Sequence, residues 1–221
     1  MILANWQDQR YLLLPQDVAE QTLQRLRMFV MRADVTFIAA DDLQTAFVTT
    51  NEKNAAAPWE CNALSDDGFA IQLPGNSQII IGKLDELASE QQASLNHELA
   101  MIDASFPEIS LATSGQCIPQ TVDLDQHEGV SFNKGCYTGQ EIVARLHFRG
   151  TPSRRLQRFL VNSKSVPQRG DAITDNNGSA QGVIIRAAAV NDGQYKVLAS
   201  VRLKSLDAEL QFESQKVELL N

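Results

Sequence analysis

The densest chemistry in this 221-residue chain lies in one run, Asn133-Lys134-Gly135-Cys136-Tyr137-Thr138-Gly139-Gln140-Glu141. Two glycines flank a Cys-Tyr pair, and a short helical pattern follows over 138–146. Glycine permits the left-handed backbone that a sharp turn uses. A thiol in such a turn can sit at a helix N-terminus, where the dipole and the neighbouring Lys134 both favour thiolate. Two readings fit the residues. Cys136 is an exposed thiol that reacts or handles metal, or it is one small side chain buried in a tight turn, since free cysteine is often buried. Lys134 and Arg145 would make the mouth of the site positive and steer an anion towards the thiol. Tyr137 and Gln140 would pin the turn. Glu141 would cap the helix or pair with Arg145 four residues on. His127 and His147 flank the run, and either could serve the thiol as a base.

Other candidates carry less. Cys61 and Cys117 lack such a context and read as bystanders. No CxxC or Cys/His spacing supports a zinc site, so no metal site is expected. Three widely spaced cysteines argue against a disulfide framework and for a reducing, cytoplasmic setting.

Charge is the second feature. Arg145, Arg149, Arg154, Arg155 and Arg158 fall in one acid-free stretch, with His147 among them. An anionic ligand or RNA phosphates could use that cluster, or it is a solvated face. The chain as a whole has 19 Lys and Arg against 27 Asp and Glu, a net charge of −8. That balance, and the lack of an aromatic stacking series, argue against a dedicated nucleic-acid binder. No apolar run is long enough to span a bilayer, and no signal peptide is legible.

These residues need elements to hold them. Strands are predicted over 1–4 and 10–14, across a turn at 5–9. A helix opens at Pro15-Gln16-Asp17 with Val18, Leu23, Leu26 and Val30 on one face. Strands follow at 35–40 and 46–50, and a loop at 54–58. A hairpin is predicted over 68–73 and 78–82 across Pro74-Gly75-Asn76. A second long helix covers 84–102, with Leu84, Leu87, Leu95, Leu99 and Ile102 as its apolar positions. Residues 105–137 are loop-rich. After Gly150-Thr151-Pro152 the pattern turns to strands, at 156–161, 182–190, 195–203 and 210–219, separated by turn signals. The expected organisation is an α+β region over 1–152 and a small all-β barrel or sandwich over 153–221.

The runs Ile118-Pro119-Gln120, Gly129-Val130-Ser131-Phe132 with the whole of 133–145, and Phe148-Arg149-Gly150 resemble the YgfZ family. These folate-binding, tRNA-modification-linked proteins are related to the aminomethyltransferase of glycine cleavage. The K-G-C-Y-x-G-Q-E motif is complete here, at Lys134, Gly135, Cys136, Tyr137, Gly139, Gln140 and Glu141. Further matches are Phe106-Pro107 and Ser114-Gly115-Gln116.

The resemblance implies an aminomethyltransferase-like folate domain, partial at its N-terminus because family members carry a further segment there, followed by a small C-terminal barrel. It implies tetrahydrofolate as cofactor and a role in iron–sulfur cluster maintenance. That role would support enzymes such as the tRNA methylthiotransferase, with no direct nucleic-acid or membrane partner. Cys136 matches the residue on which family activity depends. The helix before Phe106-Pro107 carries a folate-contacting Trp in the best-known branch, and His97 stands there in this chain. Asp103 matches the carboxylate that follows this helix in the aminomethyltransferases, and Arg145 completes the expected cofactor contacts. An accessory, non-enzymatic protein is the reading this favours. Folate-dependent aminomethyl transfer is the alternative, although a cysteine-centred motif is not what that reaction needs.

Overall fold

The computed structural model describes residues 1–49, 57–65, 68–83 and 90–220. Contacts group the chain into two units, Met1–Ala100 and Met101–Asn221.

The first unit opens with a hairpin of β1 (Ile2–Trp6) and β2 (Gln9–Leu13), paired Trp6 to Gln9. Its two-residue turn, Gln7-Asp8, has positive φ at both positions, the geometry that matches the twist of antiparallel strands. Helix α1 (Gln16–Val30) follows, and its expected apolar face of Val18, Leu23, Leu26 and Val30 is half-buried, not fully buried. The strand expected over 35–40 does not form. Among the described residues its backbone has no ladder partner, and Val35 and Ile38 are exposed. β-propensity without a neighbouring strand leaves the polar backbone unpaired, so it does not suffice.

A four-stranded antiparallel sheet, in the order β3-β6-β5-β4, completes this unit. It comprises β3 (Gln44–Thr49), β4 (Cys61–Ser65), β5 (Gly68–Leu73) and β6 (Ser77–Gly82). The sequence pattern did not suggest β4. The hairpin between β5 and β6 forms as expected around Pro74-Gly75-Asn76. Interior strand β5 is buried throughout, and Phe69 on it stacks on Trp6 at 4.8 Å between ring centroids. Of the expected loop at 54–58, residues 54–56 lie outside the described residues, as do Thr50 and the expected helix start at 84–89.

Helix α2 (Glu90–Asp103) ends in a defined stop. Ser105 adopts a left-handed φ of 53°, its N–H donates to the Ile102 carbonyl at 2.9 Å, and the Phe106 N–H donates to Met101 at 2.8 Å. This is the paired bonding of a Schellman stop, and Pro107 then prevents continuation. Near this end His97, Met101 and Ile102 are buried; of the expected apolar positions Ile102 is buried, Leu95 and Leu99 are half-buried, and Leu84 and Leu87 lie outside the described residues.

The second unit is built on a seven-stranded antiparallel sheet, ordered β12-β11-β8-β9-β10-β7-β13. Its strands are β7 (Arg154–Asn162), β8 (Ala172–Asp175), β9 (Ala180–Asn191), β10 (Gln194–Arg202), β11 (Leu210–Phe212), β12 (Gln215–Lys216) and β13 (Glu218–Leu220). The sheet curls into a nearly closed barrel around Phe159, Val161, Ile173, Ile184, Val197, Ala199, Val201 and Phe212. Alternation along β7 and β10 supplies this core, as period-2 side chains should. The single strand expected over 210–219 is broken into three. Glu213 and Ser214 both have positive φ, and the Glu213 carboxylate accepts from the Ser163 and Ser165 hydroxyls at 2.7 and 2.6 Å. β8 was hidden between two turn signals. The adjoining Asp175 carboxylate holds its turn by accepting from the Asn177 and Ser179 N–H groups.

Contacts therefore place residues 101–152 with the barrel strands, whereas sequence pattern placed them with the α+β part. Hydrogen bonds give the reason. Arg186 of β9, 1% exposed, donates from Nε to the Phe106 carbonyl, and its Nη2 lies 3.4 Å from Glu108. Ser200 of β10 donates to the Thr121 carbonyl at 2.6 Å. Covered on its outer side by this segment, β9 is buried at consecutive positions from Gly182 to Arg186. Among the described residues no helix is long and apolar enough to cross a membrane.

Candidate functional site

Helix α3 (Gln140–Arg149) and the loop before it carry the Cys136 run. Gly139 starts the helix with φ 89° and ψ 4°, a conformation that suits glycine and strains other residues. The Tyr137 N–H donates to Gln140 Oε1 at 3.2 Å, and the Gln140 N–H donates to the Tyr137 carbonyl at 3.3 Å. This reciprocal pair pins the turn, as expected of Tyr137 and Gln140. Lys134 sets its ammonium 4.8 Å from the Tyr137 ring centre, a cation–π contact. The loop's other end is held by Phe132, which lies flat on the His147 ring at 3.6 Å and 10°.

Gly135 differs from Gly139. It has no positive φ, and a Cβ built on it would meet nothing within 4 Å. The turn itself therefore does not require glycine there, and the space beside its Cα is open. Residues 133–139 are all exposed, so Cys136 is an exposed thiol and the buried-turn reading does not hold. Among the described residues no hydrogen bond or ion pair engages it, and no cluster of three His, Cys, Asp or Glu could hold a metal there.

The flanking histidines serve the fold. His127 Nε2 lies 3.0 Å from the Ser105 carbonyl and its ring packs edge-on to Phe106, so it secures the stop of α2. His147 is stacked beneath Phe132. Neither bonds to Cys136. No ion pair joins Glu141 to Arg145 among the described residues.

The arginine cluster also divides. Arg155 donates to Asp123 at 2.8 Å and to Asp125 at 3.0 Å. Partial burial works against its charge, but the bonds and charges of the two aspartates outweigh that and raise its pKa. Arg158 donates to the Asp103 carbonyl at 2.9 Å, at the negative end of α2. Arg145 and Arg149 stay exposed on α3.

The expected cofactor contacts lie elsewhere. His97, 4% exposed, stacks on Phe47 of β3 at 3.9 Å and 22°, so Phe47 takes one face of the imidazole. Asp103 binds Lys196 of β10 through both oxygens, at 2.7 and 3.0 Å, while 49% of its side chain stays exposed. Burial pushes the Cys61 and Cys117 thiols up, Arg154 and two hydroxyls partly opposing this at Cys117, so both favour the neutral form. An open cavity of about 780 Å³ lies on the barrel near Phe159, Leu206 and Val217, and none of the expected contacts lines it.

Gln120 is a positioning residue that composition and spacing did not reveal. It is 2% exposed, in a 3-10 turn over Pro119–Val122, and its Nε2 donates to the Val143 carbonyl of α3 at 2.7 Å. Its Oε1 is buried with no hydrogen-bond partner among the described residues. The only sequence hint was its place in the run beginning Ile118-Pro119.

No family model matches the chain. A solved structure similar to it, glycine cleavage system aminomethyltransferase T from Bartonella henselae, is 17% identical with a TM-score of 0.37, covering 76% of this chain and 52% of that one. The tRNA-modifying protein YgfZ of Klebsiella pneumoniae (strain 342) is 32% identical in a 198-position alignment that covers 79% of this chain. The chain spans 61% of the length of that relative. Over that stretch the chain is similar to a YgfZ protein.

Proposed function

We propose that this chain is a folate-binding accessory protein of tRNA modification, acting in the cytoplasm through iron–sulfur cluster assembly or repair, with Cys136 as its working thiol. The client would be an iron–sulfur enzyme such as a tRNA methylthiotransferase. One observation carries the reading: the complete 134–141 run is presented on an exposed, pinned turn, in a chain 32% identical to a tRNA-modifying protein. An exposed thiol beside an open glycine suits contact with a partner's iron or with an oxidised sulfur species. It suits poorly a self-contained nucleophile, because among the described residues no base is hydrogen-bonded to it.

The folate part rests on the resemblance. Asp103 is half exposed although paired with Lys196, so a ring N–H of a folate can reach one of its oxygens. Arg145 would offer charge to a glutamate tail. Tetrahydrofolate, when bound, would supply a one-carbon carrier. Asp103 and Arg145 would serve only to bind and orient it.

Two measurements test this. In cells lacking their own YgfZ protein, this chain should restore methylthiolated nucleosides in tRNA, read by mass spectrometry, and Cys136→Ala should not, while its urea midpoint stays unchanged. Full restoration by Cys136→Ala removes the thiol from the function. Calorimetric titration with tetrahydrofolate should give saturable binding that Asp103→Asn weakens. No binding removes the folate part.

A further inference from the structure

The aromatic series that the sequence pattern lacked is assembled in three dimensions around α3. Tyr137 is 41% exposed and Phe148 69%. Phe148 packs edge-on to both His147 and Phe132, at 4.7 and 6.2 Å, which holds its ring upright on the surface. Interleaved with these rings are three exposed cations, Lys134, Arg145 and Arg149. None has a carboxylate within ion-pair distance among the described residues. Glu141 is the only acid in the stretch 129–158. In a chain of net charge −8 this is a concentrated positive face, and Phe148 and Arg149 fall three and four residues after Arg145, beside it on the helix surface.

We infer that the face formed by α3 and the 132–137 loop binds an unpaired loop of RNA, with Phe148 as a stacking platform and Arg145, Arg149 and Lys134 on the phosphates. Exposed rings beside cations are what single strands require, since each base offers a π-face and each nucleotide a charge. Paired RNA fits less well, because its bases are stacked inside the helix and its major groove is too narrow for side chains. A protein partner fits less well too. Lys134, Arg145 and Arg149 stand here against the single acid Glu141, an excess of positive charge that the regularly spaced phosphates of a strand match. The inference rests on the tRNA-modification reading for the choice of RNA over other polyanions.

The test is fluorescence anisotropy with the full chain and two labelled probes. One is an RNA hairpin of about 17 nucleotides with an unpaired loop, and the other is a fully paired RNA of the same length. The hairpin should bind more tightly. Its affinity should fall with salt at a log–log slope of about −2, as for three phosphate contacts on a single strand. Arg145→Glu with Arg149→Glu should abolish binding. Phe148→Ala should weaken binding roughly 5- to 150-fold, the range for one stacked base, with the salt slope unchanged. Arg149→Gln, which leaves the ring cluster intact, guards against a folding defect in Phe148→Ala and should lower the slope by about 0.7. Equal affinity for both probes, no hairpin binding at low salt, or binding indifferent to these variants overturns the inference. An acidic protein that binds this face while the hairpin does not also overturns it. If the hairpin fails while Cys136→Ala still loses methylthiolated tRNA, the contact surface falls and the functional reading stands. The reverse pattern overturns that reading alone.

Discussion

Gln120→Met should separate stability from function at this site. Gln120 makes one good bond, Nε2 to the Val143 carbonyl at 2.7 Å, and leaves Oε1 buried and unpartnered. A net hydrogen bond is worth about 1 kcal/mol, while an unsatisfied buried acceptor costs about 1–3 kcal/mol. Methionine fills a similar volume, so cavity terms stay small. Losing the bond and the orphan together should change stability by about 0 to 2 kcal/mol in the stabilising direction, by the same magnitudes. Gln120→Ala removes the same groups but leaves a void, and should destabilise by about 1–3 kcal/mol, on the order of known cavity costs. Urea unfolding read by circular dichroism gives both values, provided that m stays constant. Because the lost bond is the one tying the 119–122 turn to α3, Gln120→Met should also lower tRNA methylthiolation in cells despite its intact fold. A destabilisation of Gln120→Met beyond about 2 kcal/mol would refute the reasoning, since it would mean that Oε1 has a partner.

Three further outcomes follow from the geometry. Gly139→Ala forces a Cβ into a left-handed N-cap and should cost about 1–2 kcal/mol, whereas Gly135→Ala should leave stability unchanged yet reduce function, both read from urea midpoints and tRNA nucleosides. Asp123→Ala removes acceptors from Arg155 and from the Leu156 N–H and should destabilise by about 1.5–3 kcal/mol, more than Asp125→Ala, which leaves the Leu156 bond in place. The Asp175 carboxyl is held low chiefly by the Ser179 N–H, and that of Glu213 by the Ser165 and Ser163 hydroxyls. Folded-state depression makes their contribution full above the ordinary values of 3.8 and 4.5, and lost as pH falls through the depressed ones. The stability gap between wild type and Asp175→Asn with Glu213→Gln should therefore shrink from pH 6 to about pH 2 in urea titrations; a constant gap contradicts the assignment.

Local chemistry decided much of this protein in advance. The hairpin across Pro74-Gly75-Asn76, the amphipathic α1, the short α3 and the long barrel strands were legible because period and turn residues act over a few neighbouring positions. The candidate site was legible for the same reason, since residues 134–141 form one continuous turn whose bonds run between near neighbours. What failed depended on distant partners. Residues 35–40 have strand composition and no strand to pair with. β8 exists by pairing with β9 and β11, and the break within 210–219 is held by bonds from the Ser163 and Ser165 hydroxyls, 50 and 48 residues away, to Glu213. The five arginines looked alike in sequence. Tertiary packing gave Arg155 to two aspartates and Arg158 to the end of α2, and left Arg145 and Arg149 exposed. Likewise Phe132, His147 and Phe148 became one aromatic cluster only when the loop folded back on α3. Sequence fixes which groups a chain owns and how they are spaced locally; folding decides which charges are spent on structure and which remain for a ligand.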